Sequence, residues 1–280
     1  MLTTETIQAL QAPQAIEAAA QSINGHQQTL GLAALPDNFH LHDLERYMAH
    51  RRHMRGQMQT GCLDSFAAYV LAHESHGATV FVSDELSAKA VLNLGDEEYP
   101  GHADHTATLD LKMLPAYKAL LNIFARGAVP QREFAEFLED WADCIKLKSN
   151  GAEMELSKGI AAVRKLTIEQ TKKAQHTSQA LSESRSTFEQ IEASSETPLP
   201  TFLLFYCQPY HPLQNYALAA RIAILTAGDT PTLKLHLIRH EEKREAMAAE
   251  LVDLVKARLI KHSEGDTGEQ ISVIKGKHTA

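Results

Sequence analysis

The sequence predicts an α+β fold: a mixed or antiparallel sheet with packed helices, a polar projecting arm, and a C-terminal hairpin followed by a helix. Three observations carry this expectation. Residues 106–113 alternate Ala107, Leu109, Leu111 and Met113 with Thr106, Thr108, Asp110 and Lys112, the period of a half-buried strand. Two helical patterns then follow in succession, with no regular strand–helix–strand repeat. Near the end, the runs 202–207, 216–225 and 233–238 read as three strands closed by a helical pattern over 239–261.

The elements before the organising strand are shorter. Residues 1–25 form an N-terminal helical arm with Ile7, Leu10, Ile16 and Ala20 on one side, broken at Pro13 and ended by Asn24-Gly25. An α+β lobe is expected over 26–150. Within it, Asp64 is the expected N-cap of a helix over 65–73, and 79–82 and 88–94 read as strands. An acidic, turn-rich loop over 95–104 leads into the organising strand. Pro115 suits a first helical position and Gly127 a stop. The next helix is predicted over 131–147, burying Phe134, Phe137, Leu138, Trp141 and Ile145.

A second lobe is expected over 151–262. Its segment 165–195 is dominated by Gln, Ser, Thr, Glu and Lys and reads as a polar hairpin in preference to a helix and linker. Residues 263–280 read as a mobile tail. Both the polar segment and the N-terminal arm need another surface to offset the cost of ordering them, so a homo-oligomer is expected.

The chain has 280 residues, with 27 Lys and Arg against 35 Asp and Glu and a net charge of −8. Such a balance excludes nucleic-acid binding by the surface as a whole, though not by a local patch. Cys62, Cys144 and Cys207 are isolated and odd in number, which fits a reducing cytosol and buried structural thiols. The first twenty residues lack a basic and apolar leader pattern, and the longest apolar runs are far short of a membrane span. A cytoplasmic protein without membrane contact is therefore expected.

Three features bear on chemistry. The segment 46–55 places Arg46, Arg51, Arg52 and Arg55 within ten residues, a compact cationic site for phosphate or nucleic acid. Glu133, Glu136, Asp140 and Asp143 lie opposite the apolar stripe of the predicted 131–147 helix, a surface for docking a partner protein. Eight of fifteen histidines fall between His40 and His105, as the pairs His40/His42, His50/His53, His73/His76 and His102/His105. Imidazoles can share a metal, yet no cysteine pair joins them, and His73-Glu74-Ser75-His76 is one residue short of the zincin pattern. No phosphate-loop, dinucleotide or nucleophile-elbow motif is present. No catalytic residue, metal or cofactor is therefore assigned.

The segments Arg55-Gly56 with Thr60, Asp64-Ser65-Phe66-Ala67-Ala68-Tyr69-Val70 and Gln131-Arg132-Glu133-Phe134-Ala135-Glu136-Phe137-Leu138-Glu139-Asp140 resemble signatures of the YfdQ-like proteins of phages and prophages. The likeness extends over about 30–261, including the strand near 200–210 and the closing hairpin and helix. The resemblance implies a phage-encoded protein of the bacterial cytoplasm, often found beside early replication and recombination genes, and supplies no active site. The expectation is a non-catalytic, self-associating accessory protein binding nucleic acid or the host machinery that handles it. The alternatives are a self-assembling shell, ring or filament protein and a metal-dependent hydrolase or nuclease.

Overall fold

The computed structural model describes residues 45–166, 198–225, 231–260 and 271–279. Contacts divide the chain into two units, residues 1–54 and 55–280. The described part of the first unit is residues 45–54, with a 3-10 turn at Glu45–Tyr47. The expected N-terminal helical arm over 1–25 and most of the 165–195 arm lie outside the described residues.

Among the described residues the second unit holds two sheets. The first is ordered β1 (Gly56–Thr60), β4 (His105–Asp110), β3 (Ser87–Val91), β2 (Thr79–Ser83) and β11 (Ser272–Lys275). Its outer pairs, β1–β4 and β2–β11, are parallel, and the inner pairs are antiparallel. The second sheet is antiparallel throughout, ordered β5 (Ala128–Pro130), β10 (Thr232–Ile238), β9 (Tyr216–Leu225), β8 (Phe202–Cys207), β6 (Ile145–Ser149) and β7 (Ala152–Met154). The helices are α1 (Leu63–His73), α2 (Pro115–Ala125), α3 (Gln131–Asp140), α4 (Leu156–Arg164) and α5 (His240–Ile260). The architecture is mixed α+β, as the sequence predicts.

Burial follows the pleat. In β9, Tyr216, Leu218, Ala220, Ile222 and Ile224 are buried, while Ala217, Arg221 and Leu225 are exposed. The buried face of the second sheet meets α3 and α4: Phe205 stacks on Phe137 at 6.0 Å, and Gly159 lies against Leu147. On the first sheet, Val80, Val82, Ala88, Ala90, Ala107 and Leu109 form the inner face. These residues belong to the same apolar cluster as Phe66 and Val70 of α1 and Met247, Leu251 and Val255 of α5.

Pro115 opens α2 and Gly127, at φ +73°, follows its end, the left-handed turn that glycine adopts without strain. The organising strand is shorter than its pattern: β4 ends at Asp110, and Met113 is exposed, making only an isolated bridge to Tyr210.

Several expectations are corrected. The helix predicted over 131–147 stops at Asp140, followed by a 3-10 turn at Ala142–Cys144 and then β6. Trp141 leaves helical geometry at φ −115° and ψ 30°. Beyond it, buried Ile145 and Leu147 alternate with Lys146 and Lys148, so the two-residue period prevails. Trp141 is half-buried beside Phe205 at 6.4 Å, outside the helical stripe. Cys62, not Asp64, caps α1; Asp64 sits in the first turn and pairs with Arg258 at 3.2 Å. Asn150 and Gly151 turn β6 into β7, so the lobes expected on either side of residue 150 share one sheet. Part of the tail is also ordered: Val273 and Ile274 give an edge strand on β2, and Lys275 meets Asp84 at 2.8 Å.

Candidate nucleic-acid interface

The outward face of the second sheet has an unusual composition. The strands β5, β6, β8, β9 and β10 contain no Asp or Glu, in a chain with 35 of them. Antiparallel pairing sets Lys148 opposite Phe202, Phe202 opposite Arg221 and Arg221 opposite His236. That makes one transverse row of cation, aromatic, cation and imidazole across four strands. Cross-strand partners share a face, so the next row is Lys146, Leu204, Ala219 and Ile238. Tyr206 opposite Ala217 follows, while Ala223 opposite Lys234 flanks the first row on its far side. Among the described residues the sole carboxylate in this register is Glu153, opposite Lys148 in the edge strand β7.

These side chains reach solvent. Tyr206 is 42% exposed, and Lys146, Arg221 and His236 are also exposed, with Phe202, Lys148 and Lys234 half-buried. The Lys146 ammonium stands 5.6 Å from the centre of the Tyr206 ring, within cation–π reach. Lys148, Arg221 and Lys234 make no ion pair with any described residue. Alanines 217, 219 and 223 keep the central strand low between the rows. The face can therefore offer fixed positive charge to phosphates and ring faces to planar groups.

A model of the family described as "Uncharacterized conserved protein (DUF2303)" matches residues 3–264. The chain belongs to this family. No curated protein and no solved structure matches it. No described helix of this family member is long and apolar enough to cross a membrane.

The arginines singled out in the sequence are divided. Arg46, Arg51 and Arg52 belong to the first unit and Arg55 to the second. All four are exposed. The Arg46 guanidinium lies 4.6 Å from the Tyr47 ring centre, and the Arg52 backbone N–H donates to Glu45 Oε1 at 3.3 Å.

The acidic group is also partitioned. Arg126 pairs with Glu133 through both terminal guanidinium nitrogens, and Arg132 holds Glu136 at 2.9 Å. Asp140 ends α3, and Asp143 lies in the 3-10 turn beyond it, so the four carboxylates do not share one helix face. Partner docking there would use charge already offset on Glu133 and Glu136 by local arginines.

The structure brings some histidines together. His105 is 2% exposed, bonds to the Tyr69 hydroxyl at 3.0 Å and faces the His73 ring at 5.6 Å. Its backbone N–H donates to Asn93 Oδ1 at 3.0 Å, and Asn93 in turn donates to Asp104. Burial, reinforced by His73, pushes the His105 pKa down and keeps its ring neutral. Nearby, His76 pairs with Asp96 at a cleft also lined by Glu74, Ser75 and Ser272. The bond from His76, with backbone N–H donation from Tyr99 and Glu98, holds the Asp96 carboxyl below its ordinary pKa. Among the described residues no three His, Cys, Asp or Glu side chains gather as a metal site. His40 and His42 lie outside the described residues.

The thiols differ from one another. Burial pushes Cys207 up to about 12 and raises Cys144, as expected for structural thiols. Cys62 is exposed at the start of α1, where hydrogen bonding to Ser65 lowers its pKa. The expectation of a buried thiol fails there because the residue precedes the first buried turn.

Sequence reasoning missed the sheet face because Lys146, Lys148, Arg221 and Lys234 are scattered along the chain. Only strand pairing gathers them. The signal that could have found it was five strands without an acid in an acidic protein.

Proposed function

We propose that the protein is a non-catalytic accessory protein of the phage or prophage type that binds nucleic acid through the outward face of its second sheet. The observation that carries this reading is the row Lys148, Phe202, Arg221 and His236, with Lys146, Tyr206 and Lys234 beside it and a single carboxylate at the margin. Polyanion binding rests on cations that release counterions from the phosphate chain, and a local patch suffices in a protein of net charge −8. Arg46, Arg51 and Arg52 form a separate cationic stretch in the other unit.

A second copy of the same face is a weaker occupant. Isologous pairing about a two-fold axis sets a face against itself. Lys146, Lys148, Arg221 and Lys234 would then oppose like charge with only Glu153 to offset it.

The test is the salt dependence of binding to a labelled oligonucleotide. The full chain should bind at low salt, with affinity falling as salt rises. A variant carrying Lys148→Gln, Arg221→Gln and Lys234→Gln should bind more weakly. Its log–log slope should be shallower by about 0.7 for each phosphate of a single strand that is no longer neutralised. Absence of binding by the parent at low salt, or an unchanged slope in the variant, would overturn the proposal.

A further inference from the structure

Resting on that nucleic-acid reading, we infer that the face is built for single-stranded nucleic acid, with unpaired bases stacking on Tyr206 and Phe202. Duplex readout in the major groove needs a narrow protruding element, an α-helix or a two-stranded ribbon. Here the cations lie on the broad surface of a six-stranded sheet, which cannot enter a groove. An unpaired strand, in contrast, can lie flat and turn its bases onto aromatic rings.

The local geometry suits that role. Phe202 and Tyr206 are four residues apart on one face of β8, hence about 13 Å apart at the usual strand rise. They offer two separate stacking positions. Tyr206 faces Ala217 across the pair, and Leu204, between the two aromatics, faces Ala219. Small partners leave Tyr206 42% exposed. Lys146, near that ring at 5.6 Å, and Arg221, opposite Phe202, place a cation beside each aromatic. Repeated pairing of ring and cation matches the alternation of base and phosphate along one strand. A ring that served only to cover the sheet would be more deeply packed.

The experiment compares the full chain with Tyr206→Ala, Tyr206→Phe and Arg221→Gln, using fluorescence anisotropy on a mixed-sequence DNA single strand, its RNA counterpart and the DNA duplex. Circular dichroism checks that each variant is folded. The parent should bind both single strands at least tenfold more tightly than the duplex. Losing one stacking position should weaken single-strand binding about 5- to 150-fold in Tyr206→Ala, with the salt slope unchanged and Tyr206→Phe close to the parent. Arg221→Gln should instead flatten the slope. Equal parent affinity for strand and duplex, with a normal slope, would overturn the single-strand inference and leave nucleic-acid binding standing. If Tyr206→Ala disperses an oligomer without changing oligonucleotide affinity, a second copy occupies the face and the inference fails. No binding to any of the three probes removes both readings.

Discussion

The two sheets of the second unit bury comparable apolar faces but present different surfaces on the other side. In the first sheet the middle outward row is Gln59, Thr108, Lys89, Phe81 and Ile274. Gln59 donates to Asp110 at 2.8 Å, and the Phe81 ring is already partnered by His278 at 5.0 Å. The adjoining row includes Thr79, Val91 and Thr106, all buried. In the second sheet the outward rows hold aromatics beside cations, with a carboxylate only at the edge. One pleat thus yields a surface that is largely covered, with Lys89 as the one cation in its middle row, and an open one where several cations are gathered for an outside partner. Exposure by itself does not separate the two. The number of cations gathered beside solvent-exposed rings does.

The largest expected effect sharpens the contrast within one strand. Phe205 and Tyr206 are neighbours pointing to opposite faces of β8; Phe205 is fully buried against Phe137 and Trp141. Phe205→Ala should destabilise the fold by about 3–5 kcal/mol in denaturant unfolding, whereas Tyr206→Ala should change stability by no more than about 0.5 kcal/mol. Comparable losses in both would mean that the outward face is packed like the inward one.

An intermediate effect compares cations on the two sheets. Lys89→Gln on the first sheet should leave the salt slope of oligonucleotide binding unchanged, while Lys148→Gln on the second should lower it by about 0.7. Equal slopes in the two variants would erase the distinction between the surfaces.

The smallest effect concerns the first sheet alone. His105 has a folded-state pKa below its ordinary 6.5 because burial disfavours the cation. The unfolded chain therefore binds a proton more readily, so stability is retained above about pH 6.5 and falls as pH drops through that value toward the lower folded pKa. Unfolding midpoints between pH 7.5 and 5.5 should decline, and His105→Gln should decline less. Identical profiles would show that another group carries the acid sensitivity.

Legibility in the sequence tracked the length and regularity of each pattern. The strands β8, β9 and β10 and helix α5 are readable because long apolar alternation gives way to a helical period ending in Met247, Leu251, Val255 and Leu259. Strand β6 was hidden because Trp141 and Ile145 continue the spacing of Phe134, Phe137 and Leu138, and only the backbone at Trp141 breaks it. Strand β1 is a short polar edge, Gly-Gln-Met-Gln-Thr, with no apolar alternation to betray it. In α4, Gly159 interrupts an otherwise adequate stripe because it must pass close to Leu147. The interface was the least legible feature. Its cations become neighbours through strand pairing: Arg221 meets His236 within the C-terminal hairpin, but Lys146 and Lys148 join them only because β6 pairs with β8, more than fifty residues further along the chain.

The most direct measurement is ultraviolet cross-linking of the full chain to a single-stranded oligonucleotide, with the attached peptides mapped by mass spectrometry. Cross-links are expected on the β8 peptide carrying Phe202 and Tyr206, lost at Tyr206 in Tyr206→Ala and reduced throughout by high salt. Cross-links confined to the 46–55 segment, or to the first sheet at Phe81 and its neighbours, would contradict this expectation.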